Sequence, residues 1–296
     1  MKILILGGSG MLGHRLWLTL RQVYETWITV RGDLTRLPDI PEFPKRYICP
    51  YVDALIFDEV KRTLAAIQPN LVINCIGLIK QSPLVNDPLF SIKINALLPH
   101  QISLSCRAAG IRMVHISTDC VFSGKKGQYV ESDPTDAEDL YGRTKFLGEV
   151  AYPGTITLRT SIIGRELKTR FGLVEWFLSQ KEILRGYRRA IYTGLTTDEL
   201  SRVILNYVIP RTDLNGIYHV SSEPISKYDL LVLMKNAFGR QATILADDQF
   251  ICDRSLSSAK FRQITGYKPP KWPEMIDELR NNSSLYDRLE DMKNAD

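Results

Sequence analysis

Tyr141 and Lys145 lie four residues apart in Tyr141-Gly142-Arg143-Thr144-Lys145, a spacing that puts both on one face of a helix, a turn apart. A lysine ammonium close to a phenol favours the phenolate and draws its pKa toward the working range, so that the tyrosine can exchange a proton with a carbonyl or an alcohol. A threonine hydroxyl would hydrogen-bond the same oxygen. Thr118 is placed to do so, because Ser117-Thr118 ends a predicted strand and ligands of open parallel sheets bind beyond strand C-termini. A Tyr-x-x-x-Lys spacing alone is a frequent accident, more often an exposed pair than a site. Here a second feature accompanies it: Gly7-Gly8-Ser9-Gly10-Met11-Leu12-Gly13 follows the first strand and opens the first helix. It fits GxGxxG through Gly8, Gly10 and Gly13, and GxxGxxG through Gly7, Gly10 and Gly13. Glycines there permit a tight turn and a close approach of backbone to a pyrophosphate at the helix N-terminus. The motif predicts a dinucleotide site at Gly7, Gly10, Met11, Leu12 and Gly13.

Which dinucleotide is read from the end of the second strand, Ile28-Thr29-Val30-Arg31-Gly32-Asp33. An NAD site expects an acid about 20 residues after the glycines, to hold the ribose 2′-hydroxyl. Arg31 occupies the place where a cation meets a 2′-phosphate, and Asp33 falls two residues late. The expectation is NADP(H) in preference to NAD(H), against the plainer reading of Arg31 as a surface charge.

These residues need a scaffold, and the pattern of the chain predicts one. Lys2–Leu6, Trp27–Val30, Leu71–Cys75, Arg112–Ser117 and Thr155–Arg159 read as strands of continuous apolarity. Amphipathic helices separate them at Met11–Val23, Phe57–Ile67 and from Asp87-Pro88 to Ala109. Strand and helix in alternation argue for parallel pairing with crossover connections. The fold class is therefore α/β, a Rossmann-type doubly wound parallel sheet, with residues 1–160 as the dinucleotide-binding domain. Residues 161–296 read as a smaller, mainly substrate-binding α/β lobe that returns to the sheet. Helices are expected near Val174–Gln180, Asp198–Tyr207 and Lys227–Phe238, short strands near Ile217–Val220 and Thr243–Leu245, and a fraying polar helix from Asn281.

Composition closes off other classes. The 296 residues are 44% hydrophobic and 24% charged, which excludes fibrous and disordered chains. The longest apolar run, Leu71 to Ile79, is nine residues and includes Asn74, where a membrane span needs about 20. The five cysteines show no CxxC pair and no metal-ligand spacing, so reduced thiols, no metal and a cytoplasmic chain without a secretory signal are expected. A net charge of +5 is a mild excess that hints only faintly at nucleic acid. Between Ser161 and Ala190 seven basic residues stand against three acidic ones. That cluster suits small anionic ligands, with one or two cations, Arg165 among them, meeting a phosphate and the rest solvated. His115, on a strand, reads as structural.

The chain resembles the extended short-chain dehydrogenase/reductase superfamily, and within it the dTDP-4-dehydrorhamnose reductase-like (RmlD-type) enzymes. The resemblance covers most of the chain and is strongest over residues 1–165. Ser117-Thr118-Asp119, Val121-Phe122, Gly124, Tyr141-Gly142-x-x-Lys145-x-x-Gly148-Glu149 and Arg159-Thr160-Ser161 carry it. It implies that Thr118, Tyr141 and Lys145 are catalytic, with Tyr141 donating a proton as hydride reaches a 4-keto carbon and Lys145 also binding the nicotinamide ribose. It implies Asp53 beside the adenine, Asn74, Cys75 and Gly77 lining the cofactor, and Asn95 supporting the site from a helix. Thr118, Asp119, Cys120, Tyr141 and Arg254 would meet the substrate. The family commonly has an aromatic residue where Cys120 stands. Related 4,6-dehydratases carry two acids after the threonine, and Cys120 removes the second. The implied activity is reduction of a nucleotide-linked 4-keto-6-deoxy sugar, dTDP- or UDP-linked, for a surface polysaccharide. No nucleic acid or membrane is involved, and a homodimer is compatible with this reading. The rivals are a 4-epimerase on the same scaffold and a non-catalytic nucleotide-binding regulatory subunit.

Overall fold

The computed structural model describes residues 1–295. The first part of the chain runs β1 (Lys2–Leu6), α1 (Met11–Leu20), β2 (Glu25–Thr29), β3 (Ile48–Cys49), α2 (Phe57–Ile67), β4 (Leu71–Asn74) and α3 (Pro88–Ser91). A π-helical turn (Ile92–Leu97) joins α3 to α4 (Leu98–Ala108), and β5 (Arg112–Thr118), α5 (Leu140–Leu147) and β6 (Thr155–Thr160) follow. Every residue of β4 and β6 is buried, as strands covered on both faces require. The second part comprises β7 (Ile162–Ile163), α6 (Leu173–Ser179), β8 (Ile183–Tyr187), β9 (Ala190–Tyr192), β10 (Leu195–Thr196), α7 (Thr197–Val203), β11 (Gly216–His219), β12 (Ile225–Ser226) and α8 (Lys227–Ala237). It ends with β13 (Thr243–Asp247), β14 (Cys252–Asp253), α9 (Ala259–Thr265), α10 (Trp272–Asn281) and α11 (Ser284–Ala295).

Seven strands form one sheet in the order β11-β6-β5-β4-β1-β2-β3, and every neighbouring pair in it is parallel. This is the doubly wound Rossmann-type α/β fold. Beyond β6 the chain builds a lobe of small sheets, β12-β9-β14 and β13-β8, that pack on α8, and returns β11 to the edge of the main sheet beside β6. Apolar side chains pack on both sides of the sheet, one group including Ile3, Ile5, Leu16 and Trp17, the other Leu4, Leu6, Val72 and Ile102.

Two expectations are corrected. The helix read from Asp87 to Ala109 is interrupted by the π turn, which buries Ile94, Asn95 and Ala96 in succession. The polar tail does not fray at Asn281: Leu285, Tyr286 and Leu289 of α11 are buried, and Tyr286 Oη donates to His14 Nε2 at 2.6 Å. Three apolar residues on one face of a polar helix suffice to dock it against α1. Among the described residues no helix is long and apolar enough to cross a membrane, no cluster of side chains suits a metal ion, and all five cysteines are free thiols.

Candidate active site

The strand order reverses between β1 and β4, where Leu6 lies beside Asn74, and the crevice of a doubly wound sheet opens at such a point. The loop leaving β1 is held to β2: Gly7 N donates to Thr29 Oγ1 at 3.1 Å and Gly8 N to Thr29 O at 2.8 Å. Gly7 has φ +86°, which side chains disfavour, and a Cβ on Gly13 would come within 2.2 Å of Gly7 O. The loop therefore closes tightly onto α1. Gly10 is the N-cap of α1; no side chain caps it and no acid lies in its first turn. Its backbone donors and positive dipole end suit an anion from outside the chain, so the donor set at Met11, Leu12 and Gly13 fits a pyrophosphate.

Around this start the residues expected at a cofactor do several things. Arg31 is exposed, just past β2. Asp33 Oδ1 accepts from Thr35 N at 3.0 Å and is occupied in that turn. Asp53 Oδ1 accepts from Leu55 N at 3.0 Å ahead of α2. Asn74 is fully buried: its Oδ1 accepts from Ile76 N, and its Nδ2 lies 3.1 Å from His115 Nδ1. It shapes the loop from within. Asn95, in the π turn, accepts from Leu78 N at 2.9 Å and reaches Thr144 Oγ1 at 3.5 Å, joining that loop to α5. Cys75 and Gly77 line the crevice.

The crevice deepens into a cavity of about 760 Å³ that has Gly10, Met11 and Leu12 at one end and Thr118, Tyr141 and Lys145 on its wall. Thr118 ends β5. Tyr141 stands in the first turn of α5, whose N-cap Asp139 accepts from Gly142 N at 2.7 Å and from Lys80 Nζ at 2.6 Å. Lys145 Nζ donates to Ile116 O at 2.9 Å. Beneath them Glu149 accepts from Ser117 Oγ at 2.7 Å and from Arg159 through Nε at 2.8 Å and Nη2 at 2.7 Å, with both ionic side chains buried.

The electrostatics differ from the expectation of a phenol drawn down by Lys145. Burial, then the nearby Cys120, holds the Tyr141 phenol above the ordinary tyrosine range, partly offset by a hydrogen bond with Thr118. Burial lowers Lys145 to about 8. Tyr141 is thus protonated at neutral pH, the form that donates, and Lys145 is still mostly charged. Burial raises the Asp119 carboxyl, which accepts from Thr118 Oγ1 at 3.1 Å. Burial pushes the Cys120 and Cys75 thiols up to about 12, so neither is a thiolate nucleophile.

The substrate side contains one correction. Arg165 does not line this cavity: its buried guanidinium donates to Glu175 Oε1 at 2.6 Å and lies 4.9 Å from the Tyr286 ring centroid. A buried acid ten residues on holds the charge that sequence counted as available. Of the basic cluster, Arg185 lines the cavity and pairs with Asp247 at 3.6 Å, and Arg170 and Arg188 pair with Glu290 and Asp248. Arg254 lines the cavity, with Nε donating to Phe122 O at 2.8 Å. Sequence reasoning missed Lys227, Trp176, Tyr187 and Tyr192, which line the same space. These arrive from the irregular second lobe, where no motif marks them.

The family model described as the RmlD substrate binding domain matches residues 1–284. The spore coat polysaccharide biosynthesis protein SpsK of Bacillus subtilis is 26% identical, over 97% of this chain and 99% of that protein. Methionine adenosyltransferase 2 subunit beta of Danio rerio is 24% identical, over 80% of this chain and 74% of that protein. Among solved structures, dTDP-4-dehydrorhamnose reductase of Bacillus anthracis in complex with NADP superposes with a TM-score of 0.77 at 19% identity. That match covers 94% of this chain and 98% of that one.

Proposed function

Because the chain belongs to the RmlD substrate-binding domain family, we propose that it is an NADP(H)-dependent reductase of a nucleotide-activated 4-keto-6-deoxy sugar. The product would serve surface polysaccharide synthesis in the cytoplasm. The observation that carries this reading is Thr118, Tyr141 and Lys145 on one wall of a cavity that continues to the uncapped start of α1. That the relatives include a polysaccharide biosynthesis protein and the superposed structures an NADP-bound reductase supports it.

In this reading the backbone donors of Met11, Leu12 and Gly13 hold the pyrophosphate, and Arg31 meets the 2′-phosphate, favouring NADP(H) over NAD(H). When bound, reduced nicotinamide would supply the hydride that the keto carbon takes up. Thr118 Oγ1 and Tyr141 Oη hold the carbonyl oxygen, and Tyr141 gives it the phenolic proton. Charge develops on the phenol as the proton leaves, and the Lys145 ammonium, a helical turn away, stabilises it. Lys145 stays fixed by Ile116 O, so little reorganisation accompanies the transfer. Asp119 and Cys120 flank the sugar.

The test is nicotinamide oxidation with freshly generated dTDP- and UDP-linked 4-keto sugars, using wild type and Tyr141→Phe. Wild type should turn over at least one of them with NADPH, and Tyr141→Phe should lose at least ~100-fold in kcat, the scale of general acid catalysis, while binding NADPH nearly as well. Turnover unchanged by the substitution would sink the assignment. Interconversion of 4-epimers without added reductant would favour an epimerase, and NADPH binding with no turnover of any sugar a regulatory subunit.

A further inference from the structure

Lys227 is the first residue of α8, behind the N-cap Ser226. The positive end of a helix dipole disfavours a cation there, and so does the low polarity of the enclosed site. Its ammonium lies 4.1 Å from the Tyr192 ring centroid and lines the cavity together with Asp119, Cys120, Cys252 and Arg254. Among the described residues the Lys227 ammonium has no ion pair and no hydrogen bond to the protein. Arg254 spends Nε on Phe122 O and has no carboxylate in an ion pair. The acid that faces both is Asp119, a single buried carboxyl that already accepts from Thr118. Two cations with spare donors therefore share one wall of the cavity, next to the catalytic threonine; Asp119 faces both, and Asp139, which already accepts from Lys80, also faces Arg254.

The cavity beyond them changes character. Phe171, Trp176, Tyr187 and Phe250 line it, with the Tyr187 and Phe250 rings 5.0 Å apart, an aromatic surface on which a flat base can stack. The wall of the cavity thus presents a proton donor, a pair of cations and an aromatic surface.

We propose that Lys227, with Arg254, receives the diphosphate of the sugar nucleotide, and that Lys227 sets the preference for a diphosphate-linked sugar over an uncharged or singly charged one. The proposal rests on the nucleotide-sugar reading above. A sugar nucleotide carries one negative charge on each of its two phosphates, matching the two cations. A flexible ammonium with three donors can meet oxygens of both, while the planar guanidinium fixes one. Lys227 would position the sugar for Tyr141 without touching the reacting carbon.

Because the cofactor also carries phosphates, the experiment separates the two sources. Calorimetric titration of dTDP, UDP, thymidine, uridine and NADP⁺ is carried out on wild type, Lys227→Met and Lys227→Arg. The proposal expects at least one nucleoside diphosphate to bind wild type and to weaken ~10-fold or more in Lys227→Met, the scale of a lost charge-assisted contact, with Lys227→Arg recovering most of it. Nucleoside and NADP⁺ binding should be unchanged, which also reports that the variant is folded. Should Lys227→Met not fold, Lys227→Gln carries the same expectation. Diphosphate affinity equal in wild type and Lys227→Met overturns the assignment of Lys227 alone, and a parallel loss of NADP⁺ assigns the cation to the cofactor instead. No diphosphate binding to wild type that binds NADP⁺ overturns the nucleotide-sugar reading and the proposal together.

Discussion

Burial moves Tyr141 and Lys145 in opposite directions, and each toward its neutral form. For a reductase the first shift helps, since the phenol must hold a proton to give. On the proposed mechanism the second would limit turnover, because the lysine would stabilise the nascent phenolate only while charged. With Lys145 at about 8, the charged form predominates below that pH and is lost above it. Turnover in the reductive direction is therefore expected to fall as pH rises through about 8, read from kcat against pH at saturating substrates; a profile flat to about pH 9.5 would refute the role. The closeness of Thr118, Tyr141 and Lys145 was legible in the sequence because a helical repeat of four and a strand end place them without help from the rest of the chain. Lys227 was not legible: the residues that face it in the cavity, Asp119 and Tyr192, lie far away in sequence, and nothing in its own helix marks it. Arg165 was misread for the converse reason, since composition counts a charge but not the buried carboxylate of Glu175 that occupies it.

At the scale of elements, the site depends on how β5, β6 and α5 are tied beneath it. Glu149 follows α5, Arg159 lies in β6 and Ser117 in β5, and the three share one buried network. Removing one partner leaves the other charge buried and uncompensated. Glu149→Ala is expected to lower the unfolding free energy by about 3–5 kcal/mol, whereas replacing both ionic partners with apolar residues, as in Glu149→Met with Arg159→Leu, should recover most of it. Denaturant unfolding of the single and double variants checks this, and a single variant as stable as wild type would show the pair to be dispensable. Most of the sheet's strands and most helices were legible because continuous apolarity and helical periodicity survive in short windows. The π turn at Ile92–Leu97 was not, because a shifted hydrogen-bond register inserts a residue without changing which residue types are apolar. Its trace is the buried triplet Ile94-Asn95-Ala96, one residue wider than a regular helix face.

For the molecule as a whole, three histidines are buried and held neutral: His14 at about 4, His219 at about 3 and His115 well below its ordinary value, each chiefly by burial. His14 joins the N-terminal helix to the C-terminal one, donating from Nδ1 to Gly10 O at 2.7 Å and accepting from Tyr286 Oη. Between its ordinary 6.5 and about 4, the unfolded chain binds a proton there that the folded chain refuses. Stability contributed by His14 is thus full above 6.5 and lost as pH falls through that window, at up to about 1.4 kcal/mol per pH unit. Asp119 and Asp198, raised by burial, act in the opposite sense, so the comparison is between variants. His14→Gln should flatten the slope of unfolding free energy between about pH 6 and 5 by up to one proton, and an unchanged slope would show that His14 does not titrate on unfolding. The return of β11 to the sheet has a consequence for how the chain is made. Once residues through β6 have left the ribosome, six strands can pair, but the outer edge of β6 stays bare until Gly216–His219 emerges. At roughly 5–20 residues per second that interval lasts roughly 3–12 s. For those seconds the nascent chain presents an open strand edge to its neighbours on the same message, which makes translation speed between β6 and β11 a determinant of yield.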